Sequence, residues 1–162
     1  MAERPETPVI TVVATNRKAR HNYELSDSFE CGIVLRGSEV KSLRASQCQI
    51  GDAFGQISRN ELWIHQLHIS PYSYSQTHSG HDPVRVRKLL LHRREISKIS
   101  RKMQGERFAI VPLRVYFKDG KAKVEVALGK GKTKGDRRQD IAKRDSERDT
   151  AREMGRALKR GG

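Results

Sequence analysis

The sequence predicts a mainly β domain, a small barrel with flanking helices, followed by a basic tail that does not fold by itself. Three observations carry this. Apolar and polar residues alternate in several short stretches bounded by turn residues. A few other stretches repeat their apolar residues at helical steps of three and four. Beyond Gly129 large apolar residues nearly vanish while charge rises.

The first of these stretches is Phe29–Arg44. Phe29, Cys31, Ile33 and Leu35 alternate with Glu30, Gly32, Val34 and Arg36, the period of a strand with one face in a core. Gly37 breaks it, and Ser38 is the expected N-cap of a short helix with Glu39 in its first turn, where a carboxylate suits the helix dipole. Val40 and Leu43 can pack back on the strand, and Lys41 and Arg44 form a basic edge. Glu30 is a carboxylate on the outward face of a basic chain.

Residues 1–8 read as a disordered leader, and the β-branched run Val9–Ala14 as a strand. Asn16–Tyr23 follows, with Arg17, Lys18, Arg20 and His21 among an amide and an aromatic. It reads either as a solvated loop or as a segment that grips phosphates and stacks on bases. Asp52–Ile69 reads as a hairpin turning at Ser58-Arg59-Asn60, with Trp63 on the return strand. Leu89, His92, Ile96, Ile99 and Met103 step as an amphipathic helix ending at Gly105, made basic by Arg87, Lys88, Arg94, Lys98, Arg101 and Lys102. Leu90 falls off its apolar stripe, either an ordinary exposed leucine or one that packs on a sugar or base. Asp119-Gly120 marks a hairpin. Val111, Leu113, Val115 and Phe117 should face Ala122, Val124, Val126 and Leu128 in the core, with Lys121, Lys123 and Glu125 outward. Five or six strands and two helices match the size of an oligonucleotide-binding (OB) barrel, which binds on a strand face and adjoining loops.

The chain has 162 residues and a net charge of +14. That excess predicts a polyanionic partner, nucleic acid before any other. No apolar run reaches the roughly 20 residues of a membrane span, and MAERPETP has no signal-peptide core. Two cysteines make no disulfide framework, which fits a reducing cytoplasm. Residues 130–162 carry 12 Lys/Arg against 6 Asp/Glu and only Ile141, Met154 and Leu158 as large apolar residues. Such a tail is expected to be disordered when free. Yet Arg144, Arg148, Arg152, Arg156 and Arg160 recur every four residues, a cationic ribbon if helical, with Asp145, Asp149 and Glu153 each three residues before an arginine. A polyanion would relieve the repulsion along the ribbon, so folding on RNA is expected.

Several chemistries are set aside. Gly131-Lys132-Thr133 lacks the upstream glycine of a phosphate-binding loop, since Val126 stands there. His65, His68, His78 and His81 have no zinc-site spacing, and no nucleophile–base constellation can be placed. The expectation is a binding protein without metal or cofactor, not an enzyme.

Several blocks resemble the SmpB family, the tmRNA-binding proteins of bacterial trans-translation. They are Asn16-Arg17-Lys18-Ala19-Arg20-His21, Gly37-Ser38-Glu39-Val40-Lys41-Ser42-Leu43-Arg44, His68-Ile69-Ser70-Pro71-Tyr72, His81-Asp82-Pro83 and Arg87-Lys88-Leu89-Leu90-Leu91-His92. Lys130-Gly131-Lys132 and Asp136-Arg137-Arg138 fit the family's junction and tail. The resemblance implies a closed OB-like barrel over residues 9–129 and a tail, 130–162, that becomes helical on the ribosome. It implies binding to the tRNA-like domain of tmRNA, delivery to stalled ribosomes with elongation factor Tu on the charged RNA, and a tail that enters the empty mRNA channel. RNA-contacting positions of the family fall on Asn16, Glu30, Leu90 and Lys123, with the basic junction Lys130 and Lys132, and the decoding-site motif falls on Asp136, Arg137 and Arg138. Arg17, Lys18, Arg20, His21, Lys41, Arg44, Arg87 and Lys88 are expected to contact RNA as well, and Arg144, Arg148 and Arg152 to continue the tail's contacts on the ribosome. Gly135 stands where the family often has His or an aromatic. A basic ribosomal structural protein with an RNA-threading extension is the alternative.

Overall fold

β-branched residues after Pro8 form strand β1 (Ile10–Thr15), and a single helical turn α1 (Ala19–Asn22) leads into the long strand β2 (Tyr23–Ile33). Helix α2 (Gly37–Arg44) follows, then β3 (Cys48–Gln49), β4 (Phe54–Ser58), β5 (Glu61–His65), β6 (His68–Ile69) and β7 (Arg87–Leu90). Helix α3 (Arg93–Gly105) and the hairpin β8 (Ala109–Lys118) and β9 (Lys121–Gly131) complete the order. In this computed structural model residues 7–71, 82–132 and 148 are described. The chain divides into two units, residues 1–130 and 131–162. Of the second, Gly131, Lys132 and Arg148 are described, and Arg148 is helical and exposed. The leader up to residue 6, His78, His81, and the tail positions Asp136, Arg137, Arg138, Arg144 and Arg152 lie outside the described residues.

Seven strands form one sheet in the order β1-β8-β4-β5-β7-β2-β9, and β8 also pairs with β9; β3 and β6 make a small second sheet. The interior is a single apolar cluster that includes Phe29, Cys31, Leu43, Leu62, Ile64, Leu89, Ile99, Val115, Val124 and Val126. Two tight hairpins set the register. Asp119 and Gly120 both take positive φ, as do Arg59 and Asn60, and the flanking pairs Lys118↔Lys121 and Ser58↔Glu61 close two-residue turns.

Four expectations are corrected. Arg87–Leu90 is a strand, not the first turn of the basic helix, which begins at Arg93 after His92. Leu89 pairs with both Leu62 and Ile33, so hydrogen-bond partners on both flanks override the helical period. The residue capping α2 is Arg36, not Ser38, and its backbone N–H donates to Glu39 Oε1 at 2.8 Å. The return strand of the first hairpin stops at His65, because Gln66 takes positive φ and hands His68 and Ile69 to the second sheet. In β8 the register shifts between Pro112 and Arg114. This bulge turns Leu113 out of the core and leaves Ile110, Val115 and Phe117 to fill it. Pro112, which has no N–H to give a ladder, sits where the bulge tolerates it.

Glu39 and Arg87, charged residues with no solvent exposure, hold these pieces together. Glu39 Oε2 accepts from Arg87 Nε, and Oε1 accepts from Arg85 at 2.5 Å as well as from the Arg36 backbone. The rest of the Arg87 guanidinium donates to the carbonyls of Leu67 at 2.7 Å and Pro83 at 3.3 Å. One cluster thus joins α2, β7, the linker between β5 and β6, and the segment before β7. Arg87 is therefore a structural residue, not the RNA contact the sequence predicts. Burial alone would raise the Glu39 carboxyl, but the donors from Arg85, the Arg36 backbone and Arg87 outweigh it and hold it below the ordinary carboxylate range.

Removing the Glu39 charge leaves Arg87 buried and unpaired, so Glu39→Gln should cost about 3–5 kcal/mol in urea unfolding at pH 7. The Glu39 contribution should be fully present above the unfolded carboxylate's pKa of about 4.3 and decline as pH falls below it, since the unfolded chain takes up the proton first. The stability difference between wild type and Glu39→Gln should shrink between pH 5 and pH 3, values set by that carboxylate range; a constant difference would deny the ionised pair. At Gly55 an added Cβ would stand 2.5 Å from Ile110 Cγ2 and 2.9 Å from Ile110 Cβ. Gly55→Ala should destabilise by about 1–3 kcal/mol, partly restored by Ile110→Val.

Candidate nucleic-acid interface

The outward residues of β2, β7, β8 and β9 meet on one face. Antiparallel pairing sets Leu90 opposite Gly32, and a Cβ on Gly32 would come within 3.3 Å of Leu90 Cβ. The missing side chain gives Leu90 room beside the strand while the leucine stays 50% exposed. Two residues before Gly32, on the same face, stands Glu30. Lys123 arrives from β9, paired with Tyr116 of β8. Glu30, Gly32, Leu90, Leu91, His92, Glu95 and Lys123 line one open cleft of about 470 Å³. Three positions expected to contact RNA, spread over ninety-odd residues of chain, are brought together here.

Glu30 is held in place from below. Tyr116 donates its hydroxyl to Glu30 Oε2 at 2.5 Å, and Lys118 Nζ reaches Oε1 at 3.2 Å. The Tyr116 hydrogen bond lowers the Glu30 carboxyl most, burial opposes it, and Lys118 and Lys123 lower it further, for a net position below its ordinary value. Burial and then the Glu30 bond push the Tyr116 phenol above its own. The ring of Tyr116 lies under Arg114, whose guanidinium carbon is 4.5 Å from its centroid, and Arg114 in turn pairs with Glu125 at 3.2 Å. The cleft therefore offers an ionised acceptor, an ammonium donor and an apolar ridge. That set can accept hydrogen bonds from base amines or 2′-hydroxyls, pair with phosphate, and pack on a sugar or base. Tyr116, Lys118 and Arg114 were not expected at the site. Only the register of the last hairpin puts them behind Glu30, and β8 reads in sequence as core alternation.

The other expected residues lie elsewhere. Asn16, Arg17, Lys18, Arg20 and His21 precede or form α1, and Asn16 is tied to the β8 bulge. Its backbone N–H donates to Leu113 O at 2.7 Å and its Nδ2 to Pro112 O at 3.0 Å. Asn16 and Lys18 line a second cavity of about 590 Å³ with Phe54 and Gln56. Arg44 covers the Phe117 ring at 5.2 Å, and Lys41 is exposed on the same helix. Lys88 pairs with Glu61 at 3.0 Å. Lys130 pairs with Glu106, which raises its ammonium pKa, and covers the Phe108 ring at 5.2 Å; Lys132 follows at the end of the described hairpin. Burial pushes the thiols of Cys31 and Cys48 up to about 12 and about 11, so neither is a ready nucleophile. Among the described residues no His, Cys, Asp and Glu cluster could hold a metal ion, and no helix is long and apolar enough to cross a membrane.

If Tyr116 holds Glu30 as the geometry requires, Tyr116→Phe should raise the Glu30 pKa toward its ordinary value. Carboxyl-carbon NMR titration reads this directly, and an unmoved titration would detach Tyr116 from the site.

Comparison with known proteins gives one consistent outcome. The family model for the SmpB protein matches residues 13–156. A protein of Mycolicibacterium smegmatis named SsrA-binding protein is 51% identical over 148 residues, covering 91% of each chain. One of the same name from Desulforudis audaxviator is 49% identical over 152 residues, covering 94% of this chain and 96% of its own. A solved chain described as "tmRNA-SmpB: a journey to the center of the bacterial ribosome" superposes with a TM-score of 0.63 at 37% identity, over 79% of this chain and 93% of the other. With its blocks in order along nearly the whole length, the chain belongs to the SmpB protein family.

Proposed function

We propose that this chain binds tmRNA through the face that carries Glu30, Leu90 and Lys123, and is an RNA-binding accessory factor of trans-translation rather than an enzyme. The observation that carries the reading is the convergence of those three residues in one cleft. The names of its relatives, SsrA-binding protein, and the ribosomal setting of its solved relative support it. The bonding of β8 to β9 as well as to β1 and β4 supports a closed OB-like barrel for the body, residues 9–129. That body takes the tRNA-like domain of tmRNA and brings it to stalled ribosomes in the cytoplasm, with elongation factor Tu on the charged RNA. The tail, 130–162, is disordered when free and becomes a helix in the empty mRNA channel. There Asp136, Arg137 and Arg138 meet the decoding site, and Arg144, Arg148 and Arg152 continue along phosphates. The four-residue spacing of those arginines and the scarcity of apolar side chains support a segment that orders only against a polyanion.

Residues 1–129 carry a net +8, so affinity for the tRNA-like transcript should fall by about 0.7–0.9 log units per log unit of salt for each phosphate contact. Lys123→Glu and Leu90→Asn should weaken binding at least about ten-fold, or about 1.4 kcal/mol, at an unchanged melting temperature. Binding insensitive to both would remove the cleft from the interface. Truncation after Lys134 should leave tmRNA affinity within about two-fold, about 0.4 kcal/mol, while abolishing peptide tagging on stalled ribosomes. Efficient tagging by the truncated chain would take the tail out of the mechanism.

A further inference from the structure

A second aromatic feature lies outside the cleft. Phe54 and His65 face each other across the β4–β5 pair with ring centroids 5.0 Å apart and planes 6° from parallel. Phe54, backed on one face by the imidazole, is still 45% exposed, an unusual position for a phenylalanine that the core does not need. It also lines the 590 Å³ cavity with Asn16, Lys18, Asn22, Tyr23 and Gln56. This cavity opens where β4 and β8 part, since the two strands share a single paired position, Gly55↔Ile110. At that one position the strands meet closely, with Gly55 leaving room for the Ile110 side chain, and both residues line the cavity.

We propose that Phe54, backed by His65, is a stacking platform for an unpaired RNA base, and that the adjoining cavity takes that nucleotide. The chemistry of the walls fits. Asn22 and Gln56 on the lining carry amides with donors and an acceptor suited to a base edge, and Asn16, whose Nδ2 is spent on Pro112 O, also carries an acceptor oxygen. Lys18 on the lining and exposed Arg17 beside it supply cations for the phosphate. Asp52, also on the lining, accepts from a base amine or a ribose hydroxyl rather than from phosphate. The volume falls inside the range of about 300–1,000 Å³ typical of small-ligand sites, ample for one nucleoside. An RNA is the occupant that a chain of net +14 draws to an exposed aromatic, and stacking on such a ring tolerates any base. The proposal rests on the reading of this chain as an RNA binder and adds a contact for a looped-out nucleotide, separate from the cleft of Glu30, Leu90 and Lys123.

The test uses the full chain and a single-stranded oligouridine containing one 5-iodouridine, which on long-wavelength irradiation couples to an aromatic ring stacked on it. Residues 130–162 hold no aromatic residue, so the tail cannot supply the crosslink. The crosslinked peptide should contain Phe54. Phe54→Ala should cut its yield at least about five-fold, as the loss of one stacked base predicts, and Phe54→Tyr should keep it. The exposure of the ring means that Phe54→Ala should fold, checked by its melting curve. Crosslinks confined to other peptides, an undiminished yield in Phe54→Ala, or none at all would overturn the proposal. Lys123→Glu separates the two readings: it should reduce binding of the tRNA-like transcript and leave the Phe54 crosslink intact. A wild-type chain that ignores that transcript yet crosslinks at Phe54 would end the tmRNA reading and uphold this one.

Discussion

Glu39 and Arg87 form an ion pair with no solvent exposure on either side, and the placement of α2 against β7 follows from it. Two charges out of water cost more than their attraction returns unless every remaining donor and acceptor is also satisfied. Here they nearly all are, by Arg85, the Arg36 backbone and the carbonyls of Leu67 and Pro83. Those partners come from three separate parts of the chain, so the cluster specifies one relative placement of α2, β7 and the linkers around them. With Arg87 fixed inward, the alternation of a strand sends Leu89 inward as well and Lys88 and Leu90 outward. The exposed leucine of the cleft is thus a consequence of a buried arginine three residues away.

The same register governs the other wall. On β8 the bulge at Leu113 reverses which residues reach the core, and from there Val115 and Phe117 point in while Arg114, Tyr116 and Lys118 turn to the face of Glu30. Asn16 bonds both carbonyls at that bulge. A substitution at Asn16 would therefore disturb the strand that carries Tyr116 and Lys118, and an effect on RNA affinity could arise with no direct contact.

Much of this was legible in the sequence, and the failures have physical causes. The alternation Phe29, Cys31, Ile33 identified the core face of β2, and Asp119-Gly120 identified the last hairpin, because period two and a left-handed turn are local signals. Leu90 stands out as an apolar residue off its stripe and Glu30 as an outward carboxylate on a basic chain, while Lys123 reads only as one outward lysine among several; the blocks resembling SmpB point to all three positions. Arg87 misled because nothing local distinguishes an arginine that finds a buried carboxylate forty-eight residues away from one that faces solvent. Leu89 to Met103 misled because two strand neighbours outweighed a helical period in its first residues. Leu113 misled because a bulge leaves no mark in an otherwise regular alternation, apart from the proline beside it. Tyr116 could have been singled out only by knowing that Lys123 lies opposite it.

The charge count also takes on a different meaning in three dimensions. Lys88, Lys102, Arg114, Lys118 and Lys130 each lie against a carboxylate, Glu61, Asp27, Glu125, Glu30 and Glu106 in turn. Exposed pairs of this kind are screened by solvent and contribute little, so they neither hold the fold nor remove the cation from use. A polyanion competes for each lysine on nearly equal terms with its carboxylate, and salt weakens both contacts. Lys118 differs from the others because its carboxylate is also anchored by Tyr116. Glu30 is therefore held by a bond that does not depend on either lysine, and an acceptor so anchored would stay aimed if a phosphate drew Lys118 or Lys123 away.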